Sequence, residues 1–377
     1  MYNKVLVLTS IRPDPLNRGG GPSALIWEII NTLKEKNTEI DVIIKKEINS
    51  KIVKLLHRYG IYLKKIKKNF DFYEKIIVYP DNLVFAVPKK YRNKIIVIGP
   101  DSPSLRDARQ YKEIKKNKFS ILNLLMKKIY YSISKYHEYR ILKQTKSFLV
   151  VGKTDKLWIE KNIYIKNKSF LKEKIKFLRH PILSKVIKEK LEIKNARKKR
   201  FIFSGDLNYK FNNIFITNII NELKRYHNLL EEKSLNIVVI GKNNKWIADA
   251  FVETRICDVK YIKWIENYND ICIIGQDIHC LPLLVGAGTK NRALTAISNG
   301  LEIITTSIGI ENIMYKNLTS VYITNSARHF VKYMLCLNNK ILSKNELNLL
   351  KNERINFRNK VKVEYEKCIE KYIIDGE

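Results

Sequence analysis

Short apolar runs alternate with amphipathic segments along most of this chain. Before residue 182 the main runs are 4–9, 40–44, 75–78, 94–98 and 147–151. Beyond residue 200 they are 201–205, 236–240, 259–262, 278–284 and 303–306. Near-continuous apolar runs of this length are typical of parallel strands buried on both faces, and several of the segments between them have helical periodicity. The pattern therefore predicts an α/β protein with two successive sets of parallel strands.

The stretch 278–313 carries the strongest signal for a ligand site. Its first apolar run leads into the turn Gly286-Ala287-Gly288-Thr289, a helix predicted over 290–298 and a second strand. The N-terminus of such a helix presents unpaired N–H groups and the positive end of a dipole, which suits a diphosphate. Lys290 and Arg292 add two cations there. Any βαβ unit also needs glycines and an amphipathic helix, so a purely structural interpretation stays open.

Two features of the first half also point to ligand contact. Gly20 and Gly21 belong to a triple glycine between the first strand and a helix predicted over 24–33, and glycine lets a backbone approach a ligand closely. Asp101 follows the run 94–98, and α/β sheets bind ligands just past the carboxyl ends of their strands. Its carboxylate can act as a base or contact an acceptor, or it can simply cap the following helix.

Length and composition set the broad class. The chain has 377 residues, enough for two domains, and 45% of them are hydrophobic. No apolar run approaches the roughly 20 residues that span a bilayer, and the first residues have the pattern of a strand rather than a signal peptide. The five cysteines form no CxxC pair. We therefore expect a cytoplasmic protein without a structural zinc site.

The formal net charge of +34 is extreme. Part of the lysine excess is typical of AT-rich genomes, but a field this positive attracts nucleic acid, lipid head groups or an acidic substrate. The basic stretch 51–68 has an apolar side, so it is either a solvated helix or a membrane-surface helix. No nucleic-acid-binding motif is visible and the basic residues are spread, which disfavours nucleic acid as the partner.

The residues of 278–313 resemble the donor-site signature of GT-B glycosyltransferases of group 1, also called family 4-like. The matching residues are Pro282, Leu283, Gly286, Ala287, Gly288, Thr289, Lys290, Leu294, Ala296, Gly300, Thr305, Gly309 and Glu311. Arg292 replaces a lysine conservatively. Thr295 stands where most members carry a glutamate that contacts the ribose, and Glu302 stands where many carry proline. Without that glutamate, ribose recognition has to shift, for example to Glu311, or donor affinity has to be low.

The resemblance implies two Rossmann-like domains that face a central cleft. The implied division is an acceptor domain over 1–182, a linker over 183–200, a nucleotide-sugar domain over 201–355 and a last helix over 356–377 that returns to the first domain. The segment that starts at Phe201 resembles the family's F-x-G motif, so Gly205 joins the donor residues. Asp206 stands where other branches carry an arginine, which leaves Lys210 as the nearby cation.

The implied activity is transfer of a sugar from a nucleotide-sugar donor to a surface-glycan or lipid-linked acceptor, with retention. No Asp-x-Asp pair occurs, so we expect no metal and no cofactor. An anionic membrane surface is an expected partner, with the protein attached peripherally to the inner face of the cell membrane. Because Thr295 lacks the carboxylate, the alternative is a protein that binds a nucleotide sugar without transferring it. The sequence does not specify the sugar, the acceptor or the linkage.

Overall fold

A computed structural model gives the fold. It describes residues 4–15, 21–45, 66, 68–99, 101–117, 119–162, 169–183, 193–194, 198–205, 207, 210–228, 234–265 and 268–376. The chain forms two compact units. Unit 1 comprises Met1–Pro181, Ala287–Thr289 and Val361–Glu377, and unit 2 comprises Ile182–Gly286 and Lys290–Lys360.

Unit 1 contains a parallel sheet of six strands. The strands are β1 (Lys4–Thr9), β2 (Glu39–Ile44), β3 (Lys75–Tyr79), β4 (Ile95–Gly99), β5 (Ser147–Val150) and β6 (Ile175–Phe177). Their order in the sheet is β2-β1-β3-β4-β5-β6. Every residue of β3 and β4 is buried, which explains why these runs lack an alternation of polar and apolar positions.

Helices connect these strands. They are α1 (Gly21–Glu35), α2 (Pro103–Lys116), α3 (Ile121–Gln144), α4 (Lys153–Asn162) and α5 (Ser169–Glu173), with 3₁₀ turns at Asp81–Ala86 and Lys89–Lys94. Helix α1 places Leu25, Ile26 and Ile29 in a core with residues of β1 and β3. The helix extends beyond the predicted bounds 24–33 at both ends, from Gly21 to Glu35.

Unit 2 repeats the plan with a second parallel sheet. Its strands are β7 (Arg200–Ser204), β8 (Leu235–Ile240), β9 (Cys257–Ile262), β10 (Asp277–Leu281), β11 (Glu302–Thr305) and β12 (Val321–Ile323). The order is β12-β11-β10-β7-β8-β9. The helices are α6 (Lys210–Lys224), α7 (Lys245–Val252), α8 (Asn291–Ser298), α9 (Ala327–Asn338) and α10 (Lys344–Ile369). Phe201, Phe203, Phe251 and Phe330 fill the core on one face of this sheet.

The end of the chain belongs to unit 1. Helix α10 is continuous to Ile369 and leads into a π-helical turn, Glu370–Ile374. Tyr365, Ile369 and Ile373 pack in the same core cluster as residues of α1. Glu364 forms an ion pair with Arg179 at 2.5 Å. The predicted last helix is therefore the final part of one long helix rather than a separate element that starts near residue 356.

Some boundaries differ from the predicted ones for clear reasons. Strand β10 ends at Leu281 because Pro282 cannot donate to a strand ladder. Strand β7 begins at Arg200, whose guanidinium pairs with Asp277 at 2.6 Å. Lys199, predicted as part of a charged linker, is fully buried and donates to the Gly275 carbonyl at 2.6 Å. Most of the predicted linker lies outside the described residues, so the predicted domain boundaries stay predictions.

Candidate functional site

Several predicted donor residues lie at the carboxyl edge of the second sheet. Strand order runs outward from β7 to β9 on one side and from β10 to β12 on the other. In open α/β sheets, ligands bind beyond the carboxyl ends of the strands at the point where the order reverses. This point lies between β7 and β10, and the loops that follow these strands carry Gly205 and Gly286. We call it the switch point of unit 2.

The Arg292 side chain lies against the backbone that leaves β7. Its Nη1 donates to the Ser204 carbonyl, and its guanidinium occupies the space that a side chain at position 205 would need. Gly205 also has a φ of +113°, a conformation that strains any residue with a Cβ. Two residues predicted from separate motifs are thus in contact, and glycine is required at 205 for both its conformation and its small size.

Lys290 is the N-cap residue of α8, and its side chain folds back over the loop that follows β10. A Cβ on Gly286 would lie 2.9 Å from both Cε and Nζ of Lys290. The ammonium group therefore stands near the positive end of the α8 dipole. Lys210 is the first residue of α6, so it also stands at a helix N-terminus, but its side chain lies outside the described part of the structure.

Two asparagines that the sequence analysis missed hold this edge together. Asn244 Nδ2 donates to the Gly205 carbonyl at 2.6 Å and to the Ile240 carbonyl at 2.7 Å, which joins the ends of β7 and β8. Asn212 Oδ1 accepts from the Leu284 N–H at 3.2 Å and joins the first turn of α6 to the loop after β10. Their only signal in the sequence is their position a few residues beyond a strand, where asparagine often bonds to backbone.

Three buried polar atoms near this edge have no hydrogen-bond partner among the described residues. They are Ser204 Oγ, Asn244 Oδ1 and Asn291 Oδ1. Buried polar groups are paired in the great majority of native structures, so each exception calls for an explanation. Ser204 is the last residue of β7, Asn244 precedes α7 and Asn291 is the first residue of α8, so all three atoms belong to segments at this edge.

Thr295 and Glu311 belong to the same unit. Thr295 is half-buried on α8, and Glu311 is half-buried in the turn that follows β11. That turn is tied to the loop after β10, because the Thr306 hydroxyl donates to the Leu283 carbonyl and accepts from the Gly309 N–H at 3.0 Å. Glu311 is therefore carried by a turn that is anchored close to the switch point.

Gly288 and Thr289 are grouped with unit 1, as part of Ala287–Thr289. The Gly288 N–H donates to both carboxylate oxygens of Asp155, at 3.0 Å each. The Thr289 hydroxyl donates to the Val151 carbonyl. A diphosphate bound at the Gly288 N–H would have to displace the carboxylate of Asp155. No motif in the sequence predicts the contact between these two residues.

Asp101 lies directly after β4, at the carboxyl edge of the sheet in unit 1. Its carboxylate is partly exposed and lies 3.7 Å from a guanidinium nitrogen of Arg106. Ser102, not Asp101, caps helix α2, because the Ser102 hydroxyl accepts from the Leu105 N–H at 3.2 Å. The capping role considered for Asp101 is thus wrong. Gly21 is the first residue of α1, and Gly20 lies outside the described residues.

A buried carboxyl group supports the loop that carries Asp101. Glu138 Oε1 accepts from the Ser102 hydroxyl at 2.7 Å and from the Ser104 N–H at 3.1 Å. Glu138 Oε2 is buried and has no hydrogen-bond partner among the described residues. Burial raises the pKa of Glu138 to about 7, despite the lowering effect of the bonds from Ser102 and Ser104. This group is therefore largely protonated in mildly acidic solution.

His180 and His279 are core residues. His279 is buried in β10, where Nε2 lies 2.8 Å from the Ile271 carbonyl, and burial lowers its pKa. Burial also lowers the pKa of His180, to about 4. Within the described ranges, no group of three or more His, Cys, Asp or Glu side chains is arranged to hold a metal ion. Metal independence stays a prediction.

No model of a protein family and no curated protein sequence matches the chain. Solved structures do match its fold. The glycosyltransferase WaaG, involved in lipopolysaccharide biosynthesis, is 13% identical with a TM-score of 0.60, covering 97% of this chain and 98% of WaaG. Sucrose-phosphate synthase from Thermosynechococcus elongatus is 10% identical with a TM-score of 0.63, covering 99% of this chain and 100% of the other.

A third similar structure contains ligands. It is HepE from Anabaena in complex with UDP and glucose, which is 10% identical with a TM-score of 0.54 and covers 97% of this chain and 98% of that chain. At these identities the likeness shows the fold. The two parallel six-stranded α/β sheets and these neighbours establish that the chain has the predicted GT-B fold.

Replacing Glu138 with glutamine is expected to change how stability depends on pH. The pKa of Glu138 is about 7 in the folded protein, against 4.5 for an ordinary glutamate, so the folded state retains this proton to higher pH. The contribution of the protonated group is therefore fully present below about pH 4.5 and is lost as the pH rises to about 7. The wild type should lose on the order of 3 kcal/mol relative to Glu138→Gln across this range.

Melting curves of both proteins between about pH 5 and 8 measure this effect. The melting temperature of the wild type should fall relative to that of Glu138→Gln as the pH rises. Glu366→Gln, on the exposed side of α10, is the matched control and should follow the wild type. A constant difference between the wild type and Glu138→Gln would contradict the raised pKa.

Proposed function

We propose that the protein is a glycosyltransferase that moves a sugar from a nucleotide-sugar donor to a surface-glycan or lipid-linked acceptor. The observation that carries this proposal is the switch point of unit 2, with its two cations, its helix N-termini and its unpartnered buried polar atoms. The neighbours point in the same direction. HepE binds UDP and glucose, and WaaG takes part in lipopolysaccharide biosynthesis.

In this proposal, unit 2 binds the diphosphate of the donor. Negative charge develops on the diphosphate as the bond to the sugar breaks, and pre-arranged cations and dipoles stabilise that charge. Lys290 Nζ and the N-terminus of α8 supply a positive charge and the positive end of a helix dipole at one place. Arg292 donates to the Ser204 carbonyl, so its guanidinium is held beside Gly205, where its positive charge can stabilise a phosphate.

Unit 1 supplies the acceptor side in the same proposal. Asp101 is partly exposed after the end of β4. Its loop is fixed by hydrogen bonds that Ser102 and Ser104 donate to the buried Glu138 carboxyl group. A carboxylate held in this way can orient an acceptor hydroxyl. We take retention from the resemblance and metal independence from the lack of an Asp-x-Asp pair. No cofactor is required, since the nucleotide sugar is a substrate.

An anionic membrane on the cytoplasmic side is the second proposed partner. No helix of the described residues is long and apolar enough to cross a bilayer. Most of the basic stretch 51–68, which the sequence assigns to this contact, lies outside the described residues, including Lys64, Lys65 and Lys67. Lys68 is described, and its ammonium group lies 3.7 Å from Asp41 and 5.0 Å from the centre of the Tyr73 ring.

A panel of nucleotide sugars tests the activity. The protein is incubated with each donor, with and without extracted lipid-linked glycans, and release of the nucleotide diphosphate is followed. Acceptor-dependent release from one class of donor is expected. Tight binding in calorimetry without any release would instead support the nucleotide-sugar-binding alternative. If the protein neither binds a nucleotide sugar nor releases a nucleotide diphosphate, the transferase proposal and the binding alternative are both contradicted.

Lys290→Ala is expected to weaken binding of the donor nucleotide roughly 10-fold to 100-fold, because a charge-assisted hydrogen bond contributes about 1.5–3 kcal/mol. Lys332→Ala removes an exposed cation from α9 and should leave the affinity unchanged. Isothermal titration with the nucleotide diphosphate measures both. Equal affinities for wild type and Lys290→Ala would contradict binding of the diphosphate at the N-terminus of α8.

Thr295→Glu extends the same titration to the ribose. A threonine hydroxyl is short and uncharged, whereas a glutamate can accept hydrogen bonds from two ribose hydroxyls. Tighter nucleotide binding by Thr295→Glu is expected if position 295 of α8 lies next to the ribose, as the resemblance implies. Unchanged binding in both Lys290→Ala and Thr295→Glu would exclude this donor site.

Asp101→Asn is expected to keep donor binding and to lose most of the turnover. Removal of a group that handles a proton typically costs about 10²–10⁴-fold in rate. Since Ser102 is the helix cap, the melting temperature should change little. Normal turnover per folded molecule would contradict a direct role for Asp101 in the reaction.

A further inference from the structure

The first half of α3 exposes a continuous apolar face. Five large side chains on it are each between 42% and 77% exposed, namely Ile121, Leu122, Leu125, Met126 and Ile129. At about 100° per residue they fall within a sector of roughly 140° around the helix axis. Soluble proteins rarely leave a contiguous apolar patch of more than a few hundred Å² in water. We call these five residues the α3 face.

The α3 face is carried by a helix that is firmly attached to its own unit. The second half of α3 buries Ser134, His137, Glu138, Ile141 and Leu142. Two polar contacts tie α3 to α2, from Lys127 Nζ to Gln110 and from the Ser134 hydroxyl to Asp107. Exposure of the α3 face is therefore not a consequence of a detached or unpacked helix.

The surroundings of the α3 face are strongly basic. From Arg109 to Lys135 the sequence has eight lysines and arginines against one acidic residue, Glu113. Lys112, Lys115 and Lys116 are exposed on α2, and Lys128 is exposed beside the face itself. Tyr136, 45% exposed, extends the face along the helix. Tyrosine is enriched at membrane interfaces because its ring is apolar and its hydroxyl is polar.

We propose that the α3 face is a membrane-docking surface whose occupant is the interface of an anionic lipid bilayer. An anionic bilayer has both an apolar interior and a negative surface, which matches an apolar stripe bordered by lysines. A second copy of this chain fits less well, because a symmetric contact would bring the same lysines together. The proposed orientation places α3 in the plane of the interface, with Leu122, Leu125 and Ile129 inserted and the lysines at the head groups.

This inference rests on the proposed function in one respect. A lipid-linked acceptor is confined to a bilayer, which explains why the enzyme would dock on a membrane. It also adds to that function. It assigns the contact to described residues of α2 and α3 and does not require the basic stretch 51–68. The surface can be tested without any turnover.

The test is sedimentation of the full-length protein with vesicles. One set contains phosphatidylcholine alone and the other also contains phosphatidylglycerol. The wild type should bind the anionic vesicles, and the triple variant Leu122→Ser, Leu125→Ser and Ile129→Ser should bind them at least roughly 10-fold more weakly. The control variant Val252→Ser, Leu349→Ser and Ile355→Ser removes three exposed apolar side chains of unit 2 and should bind like the wild type.

Charge reversal separates the two components of the contact. Lys115→Glu, Lys116→Glu and Lys128→Glu together should reduce binding to anionic vesicles and reduce its dependence on salt, since exposed charges are screened over about 8 Å at physiological ionic strength. Lys332→Glu and Lys362→Glu, on exposed positions of α9 and α10, should have little effect.

Fluorescence reports insertion directly. A tryptophan introduced as Leu125→Trp should shift to shorter wavelength when anionic vesicles are added, whereas Leu349→Trp should not. The chain has four native tryptophans, so each spectrum is compared with that of the wild type.

Two outcomes would overturn the inference. In the first, the serine triple variant binds vesicles as the wild type does while circular dichroism shows it folded. In the second, the wild type is a dimer without vesicles and the serine variant is a monomer, which would identify the α3 face as a contact between copies. All variants should keep wild-type affinity for the nucleotide diphosphate. If the wild type itself binds no nucleotide, the proposed function fails. The vesicle experiment then still shows whether the α3 face binds an anionic bilayer.

Discussion

The parallel pairing of β7 with β10 is the constraint on which the candidate donor site depends. The register places Arg200 opposite Asp277 and Phe203 opposite Cys280. The Arg200 guanidinium holds the fully buried Asp277 carboxylate through two hydrogen bonds, at 2.6 and 2.7 Å. Removing one partner of such a pair leaves a buried charge, which costs about 3–5 kcal/mol. A shift of one residue would reverse every side chain of a strand and separate Gly205 from Arg292.

The sequence predicted best what depends on local pattern. The buried strands, the glycine turns and helix α8 follow from runs of apolar residues and their breaks, and the contact of Arg292 with Gly205 joins two motifs recognisable in the sequence. Strands β6 and β12 were missed because each has only three residues, which is too short for a pattern to show. Glu302 departs from the expected proline, and the structure places it at the start of β11 as an acceptor for the Tyr322 hydroxyl at 3.2 Å.

What the sequence could not predict depends on contacts between distant positions. Asn244, Asn212, Asp155 and Glu138 each bond to residues far away in the chain, and only the fold brings these partners together. The helix cap is a local contact that the sequence also failed to predict. Ser102 and Asp101 both precede the same helix, and only the backbone geometry shows that Ser102 is the cap.

Helix α10 begins in unit 2 and ends in unit 1 without a break. The residues Val361–Glu377 are part of the unit that starts the chain, and Tyr365, Ile369 and Ile373 complete its core. A gene fragment that stops at Pro181 therefore encodes an incomplete unit with an exposed apolar groove. Exchange of halves between related proteins would require two junctions instead of one, so recombination in this fold is constrained to keep both ends of a gene together.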